Sequence, residues 1–377
     1  MIVSEMAEIM MLKSLMARCI FVYTVAINNI LGIFVRKGEI EMYVSRMGKA
    51  GEIFYEEIPT PEADGKNVLV EIHAVAICGT DKHGFSDGSM EGQIWGHEYS
   101  GVVVDPGETD LKAGDKVAVF PNHPCHHCEF CDAGVTNLCP TVFRGTGGSS
   151  AAAEYQLVNP YNVVKIADSM TFEEGALVEP TAVTYHALKK SGIKAGQELL
   201  VSGVGGLTGL LAETARGMGV SKIVVTDAVE ERARPYVESG LIDAFVNCEE
   251  PGFYTKLMKL ATSRFGYDAY IDIKGGVRNC NEHMVAMKNG GTAVIVAEVP
   301  GDREALNLYD LTEDEKTVSG SYGYTKPEYE EVAKMIADGR IDVKKHIGKR
   351  FKLSEGQAAF DHAMDRSVLP SKIIIEL

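Results

Sequence analysis

The stretch Gln197–Asp227 constrains the fold most, because it reads as strand, glycine turn, helix and strand within one short unit. The first strand is Glu198–Ser202, the turn runs Gly203-Val204-Gly205-Gly206-Leu207-Thr208-Gly209, an apolar-spaced helix follows from about Leu207 to Met218, and the second strand, Lys222 to Thr226, ends at Asp227. In such a unit the glycines let the backbone approach a pyrophosphate, the helix N-terminus offers amides and a favourable dipole, and an acid about twenty residues on accepts ribose hydroxyls. Gly203, Gly205, Gly206 and Leu207 are therefore candidate cofactor-binding residues, with Asp227 as the ribose acid. The Asp227 charge would repel a 2′-phosphate, which favours NAD over NADP. Thr208 departs from the pattern, which wants glycine there for close helix-to-strand packing. Either the helix shifts slightly outward or the turn re-registers onto Gly209. Further strands at Ala244–Asn247, Ala269–Ile273 and Thr292–Ala297 alternate with helical stretches, predicting an α/β doubly wound parallel sheet with ligands at its carboxyl edge.

Upstream, Cys78 to Glu98 (CGTDKHGFSDGSMEGQIWGHE) gathers the three ligand types that zinc accepts, and a catalytic zinc keeps one position open. Cys78, His97 and Glu98 are candidate ligands. The competing reading is a chance His–Glu pair and a Cys acting as a small buried hydrophobe. Cys125, Cys128 and Cys131, with Cys139 further on, can wrap a tetrahedral ion and leave no position open, so their zinc would be structural. An iron–sulfur cluster also uses four Cys, and disulfides are disfavoured in the cytoplasmic setting expected of this chain. His123, His126 and His127 read as exposed residues of that lobe. Glu179, before Pro180, reads from its residues alone as structural. Cys248 and Cys280 read as ordinary thiols.

Short strands at Asn67–Ala76, Ser100–Val104 and Lys116–Phe120, separated by turn signals, predict a small barrel or sandwich. The 377 residues divide into an N-terminal extension (1–39), a first domain (40–182) with the Cys lobe at 121–140, the dinucleotide domain (183–320), and a segment (321–377) returning to the first domain. In that last segment a helix is expected over Lys326–Gly339, strand-like pattern over Ile341–Leu353, a helix capped by Ser354, and a final strand at Ile373–Ile375. Cys19–Val35 is uncharged but short of a spanning length and contains Asn28 and Asn29, so a membrane anchor is disfavoured, and the flanking residues make a poor signal-peptide cleavage site. The reading adopted is an untypical extension, either disordered or an artefact of start-site choice, since an ordered domain is expected to begin near Met42. A net charge of −16 argues against nucleic acid or an anionic membrane as partner.

The order Cys-Gly-Thr-Asp, Gly-His-Glu, four-Cys lobe, Glu-Pro and glycine turn resembles the zinc-dependent medium-chain alcohol dehydrogenase family, particularly its polyol (sorbitol) and L-threonine dehydrogenase branch, over roughly 41–377. The resemblance implies a GroES-like β-barrel catalytic domain plus a Rossmann cofactor domain, one catalytic and one structural zinc, NAD, and a homo-oligomer, dimer or tetramer. It makes Cys78 and His97 zinc ligands, Glu98 a carboxylate that binds the metal or steps back from it, and Glu179 a further ligand, reversing the structural reading above. Thr80 matches the hydroxyl that touches the reacting alcohol, and His83 matches the proton-relay imidazole, a side chain whose ordinary titration lies near neutral pH. Cys125, Cys128, Cys131 and Cys139 match the structural zinc lobe. The implied activity is hydride transfer from a secondary alcohol (polyol, sugar or diol) to NAD. The loop Gly84–Ile94 and Trp95 are expected to approach the substrate, and L-threonine is a substrate variant lacking an obvious Arg for its carboxylate. A non-catalytic zinc-stabilised NAD-binding protein, with Thr208 as its first symptom, and a zinc-free reductase are the alternatives.

Overall fold

A computed structural model of the chain describes residues 41–142, 150–297, 302, 304–365, 367 and 369–377. The expected 1–39 extension lies outside them. The first seven strands are β1 (Glu41–Met47), β2 (Ile53–Pro59), β3 (Val68–Ala76), β4 (Glu98–Asp105), β5 (Lys116–Val119), β6 (Tyr155–Val158) and β7 (Val163–Lys165). Next come β8 (Glu198–Ser202), β9 (Lys222–Asp227), β10 (Ala244–Asn247), β11 (Tyr267–Asp272), β12 (Met287–Ile295) and β13 (Thr317–Gly320), and the chain closes with β14 (Ile347–Lys352) and β15 (Lys372–Glu376).

All five residues of β8 are buried, as a central strand covered on both faces requires. It lies in a six-stranded sheet ordered β10-β9-β8-β11-β12-β13, every pairing parallel. Numbered within the sheet this is 3-2-1-4-5-6, the doubly wound order whose switch point lies between β8 and β11. Alternate residues feed separate cores: Leu199, Val201, Ile223, Val225 and Ile271 pack on one face, and Leu200, Val224 and Tyr270 on the other. A period of two under helices on both sides gives this division. The glycine turn leaves β8 at the switch point.

The second large sheet is ordered β14-β15-β3-β4-β5-β7, with β6 also pairing β3. Its pairings are antiparallel except β14 with β15. β15 pairs antiparallel with β3, which brings the last residues beside the first half of the chain. A core joining Ala74, Phe120, Val178, Tyr324, Tyr329 and Ile336 ties this sheet to helices Val178–Ser191 and Lys326–Ala337.

Three local expectations change. Ser354 does not cap the last helix; it sits within a 3-10 turn, Leu353–Glu355, and the helix runs Gly356–Met364 from Glu355. Gly84 is not in a loop, because the helix after Cys78 runs Gly79–Asp87. The strand-like stretch after Ile341 begins as a 3-10 turn, Val343–His346, before β14. Among the described residues no helix is long and apolar enough to cross a membrane.

Candidate functional site

β3 and β4 pair antiparallel with Ala76 opposite Glu98. Cys78 lies just beyond the end of β3 and Glu98 opens β4, so strand register brings two distant motif ends together on a rigid frame. Ligand atoms of Cys78, His97 and Glu98 all lie within 4.8 Å of one another. Gly96 makes the approach possible: its φ is 94°, and a Cβ there would press on Val75 and Ala151.

Asp81, which the motif reading passed over, organises this corner. It is 1% exposed, accepts the Cys78 amide at 2.9 Å and the Gly96 amide at 3.3 Å, and lies 3.8 Å from His97 Nδ1. The signal was present, since an acid three residues into a helix beginning at Cys78 is a capping-box pattern. Burial alone would push the His97 imidazole down; the neighbouring Cys78 and Asp81 charges overcome this and hold it well above the ordinary histidine range.

Glu179 sits in the first turn of helix Val178–Ser191, 7% exposed, and does not belong to the 4.8 Å set. Its Oε1 accepts the Tyr324 hydroxyl at 2.6 Å. Burial raises its carboxyl to about 7, with nearby Glu98 adding to the rise and His97 opposing it. Glu98 is held by Lys372, whose Nζ lies 2.7 and 2.6 Å from its two oxygens. Neither Tyr324 nor Lys372 was singled out from the sequence.

Thr80 and His83 are exposed on helix Gly79–Asp87, and Thr80 Oγ1 stands 3.8 Å from Cys78 Sγ. Trp95 does not approach a substrate space. It is fully buried, donates to Ser45 Oγ at 3.0 Å and packs edge-on against Phe360, so its role is in the core.

In the Cys lobe, the sulfurs of Cys125, Cys128, Cys131 and Cys139 also lie within 4.8 Å of one another. All four are free thiols, and four sulfurs so gathered fit a closed tetrahedral ion. The Thr141 hydroxyl beside Cys139 lowers that thiol to about 6. His126 and His127 are exposed, as expected, whereas His123 is half-buried and its imidazole is pushed down by burial.

At the glycine turn Thr208 proves a structural part. Fully buried, its Oγ1 accepts the Gly205 amide at 2.8 Å and donates to Gly203 O at 3.2 Å. The helix starts at Thr208, and close packing falls to Gly209, where any Cβ would overlap the His346 ring. Asp227 accepts the Val204 amide at 2.8 Å and the Val229 amide at 3.1 Å, which pins it against the turn. The amides of Gly206 and Leu207 lie outside these bonds, at the N-terminus of helix Thr208–Gly217, the position suited to an anionic phosphate.

Residues 64–168 match the alcohol dehydrogenase GroES-like domain and residues 203–338 the zinc-binding dehydrogenase domain. The chain is 30% identical over 353 residues to a sorbitol dehydrogenase of Bombyx mori, covering 89% of this chain and 99% of that protein. It is 31% identical over 326 residues to a sorbitol dehydrogenase of Gallus gallus, covering 83% and 90%. An oxidoreductase/dehydrogenase of unknown specificity from Escherichia coli has the same fold, with a TM-score of 0.82 at 26% identity over 89% of this chain and 99% of that one. With both domains matched in order and relatives aligned over nearly their whole length, this chain belongs to the zinc-dependent medium-chain alcohol dehydrogenase family, in its polyol dehydrogenase branch.

Proposed function

We propose that the protein transfers hydride from a secondary alcohol, a polyol, sugar or diol, to NAD. The observation that carries this reading is the convergence of Cys78, His97 and Glu98 within 4.8 Å, where thiol, imidazole and carboxylate form a donor set suited to zinc. When bound, zinc supplies Lewis acidity to the alcohol oxygen and NAD supplies the hydride acceptor.

The chain's own residues do the remaining work. Cys78 and His97 hold the metal, Asp81 fixes both, and Glu98 and Glu179 are carboxylates within reach of the same centre. Thr80 takes up the alcohol proton and passes it to His83, three residues along the same exposed helix face. Gly206 and Leu207 offer their amides to the dinucleotide pyrophosphate, while Asp227 accepts from the ribose and disfavours a 2′-phosphate. Cys125, Cys128, Cys131 and Cys139 hold a second, structural zinc. The reading includes a homo-oligomer, dimer or tetramer, which sedimentation tests.

The test is zinc content together with NAD reduction against polyols, sugars, diols and L-threonine. About two zinc ions per chain, one lost in Cys78→Ser and the other in Cys128→Ser, with turnover on a panel member, is the expected result. A single zinc lost only in Cys128→Ser, without turnover, would replace this reading with a zinc-stabilised NAD-binding protein.

A further inference from the structure

Lys372 opens β15 and is 4% exposed. A buried ammonium is costly unless its donors are used and its charge is matched. Here its contacts are the two Glu98 oxygens, at 2.7 and 2.6 Å, and Ile77 O at 3.1 Å. Glu98 is itself 1% exposed and belongs to the donor set with Cys78 and His97. One carboxylate thus faces two cations: the ammonium and the metal the donor set is built for. Three anionic ligands on a dipositive ion would over-neutralise it, and the ammonium absorbs the surplus.

Pro370, two residues before Lys372, touches the nucleotide half. Pro370 O accepts the Tyr236 hydroxyl at 3.0 Å, and Tyr236 lies on helix Glu230–Glu238, which follows Asp227. A Cβ on Gly206 would stand 3.9 Å from Ser371 O. Pro370 thus contacts the helix after the ribose acid, Ser371 lies beside the phosphate turn, and Lys372 contacts the metal-site carboxylate.

We propose that Lys372 is the positioning residue that decides whether Glu98 ligates the catalytic metal, and that a dinucleotide seated on the Gly203–Gly209 turn acts on that choice through the Pro370–Lys372 strap. The inference rests on the dehydrogenase reading above. Lys372 touches no reacting atom in this account; it sets the donor number by competing for one carboxylate.

The test follows zinc transfer from the holoenzyme to a chromophoric chelator and the visible absorption of the cobalt(II)-exchanged enzyme, each with and without NAD. In the wild type NAD changes both signals. In Lys372→Met the freed Glu98 ligates the metal, so zinc leaves the Cys78-dependent site roughly 10-fold more slowly, cobalt bands shift toward higher coordination, and the NAD response disappears. Adding Glu98→Gln to Lys372→Met restores the wild-type bands, and Lys372→Arg, which keeps the charge, resembles the wild type. Identical release rates and spectra in the wild type and Lys372→Met would overturn the proposal. Should Lys372→Met fail to fold, the single Glu98→Gln variant decides: loss of the NAD response supports the proposal, and its persistence overturns it. Absence of any Cys78-dependent metal would mean that the dehydrogenase reading had failed. Cys78-dependent metal and turnover with unchanged spectra would remove only the role given to Lys372.

Discussion

Tyr324 donates its hydroxyl to Glu179 Oε1 across 2.6 Å, and both side chains are buried although 145 residues separate them. The phenol satisfies a carboxylate that has left water, and the wall of Phe120 and Tyr329 around it fixes its ring. Tyr324→Phe keeps that packing and removes the donor alone. The expected cost is about 1–3 kcal/mol of unfolding free energy, the penalty for stranding a buried polar group. Urea denaturation at fixed zinc concentration measures it, and an unchanged midpoint would show that Glu179 finds another donor.

Thr208 bridges Gly205 N and Gly203 O, so the turn geometry depends on a hydroxyl where other turns of this type depend on a glycine. Thr208→Val is close in shape but leaves both backbone groups without that partner. NAD affinity is expected to fall about tenfold, equivalent to about 1.4 kcal/mol. Thr208→Ser, which retains the hydroxyl, should stay near wild type. Cofactor titration by fluorescence distinguishes them, and equal affinities for Val and wild type would assign the hydroxyl no part in shaping the turn.

The parallel sheet was legible because its strands centre on short apolar runs such as Leu199–Val201, bounded by glycine and followed by helical spacing. The cluster of Cys78, His97 and Glu98 was legible as a candidate because the three are close in sequence and chemically distinct, and the structure brings their ligand atoms within 4.8 Å of one another. What the sequence hid lies far along the chain: Lys372 is 274 residues from Glu98 and reaches it only because β15 joins β3. No local period announces such a pairing. Trp95 was misplaced for the opposite reason, since it follows the Gly84–Ile94 stretch in sequence and was grouped with it, while the fold buries it against Ser45 and Phe360. Asp81 was readable from the helix start, but its three-residue offset was outweighed by the metal-ligand pattern around it.

Gly209 and His346 pack with no space between them, joining the dinucleotide helix to the 3-10 turn Val343–His346. Gly209→Ala should therefore destabilise by about 1–3 kcal/mol through overpacking, although alanine is otherwise the better helix former. His346→Ala in the same chain makes room for the added methyl. The double variant should be more stable than the sum of the single effects by more than about 0.5 kcal/mol. Thermal unfolding of the four proteins tests this, and strict additivity would show that the helix relieves the clash by moving.

Glu328 caps helix Lys326–Ala337 and gathers donors from two elements. Its Oε2 lies 2.9 Å from His186 Nδ1 and accepts the Thr325 amide at 2.9 Å, while Lys189 Nζ stands 3.3 Å from Oε1. Burial pushes the carboxyl up, but the His186 and Thr325 hydrogen bonds outweigh it and lower it to about 2 from an ordinary 4.5. With the folded value below the unfolded one, the unfolded chain binds more protons between them. The stabilisation is therefore fully present above about pH 4.5 and is lost as pH falls toward 2. Glu328→Gln should lower the unfolding free energy by about 1–2 kcal/mol above pH 5, the linkage value reduced for solvent screening, and the gap should close on acidification. Thiol protonation and zinc loss affect both proteins alike and cancel in the difference. Denaturant titrations of the pair at stepped pH follow the gap, and one that stays constant down to pH 2 would show that Glu328 stabilises the helix by shape and not by charge.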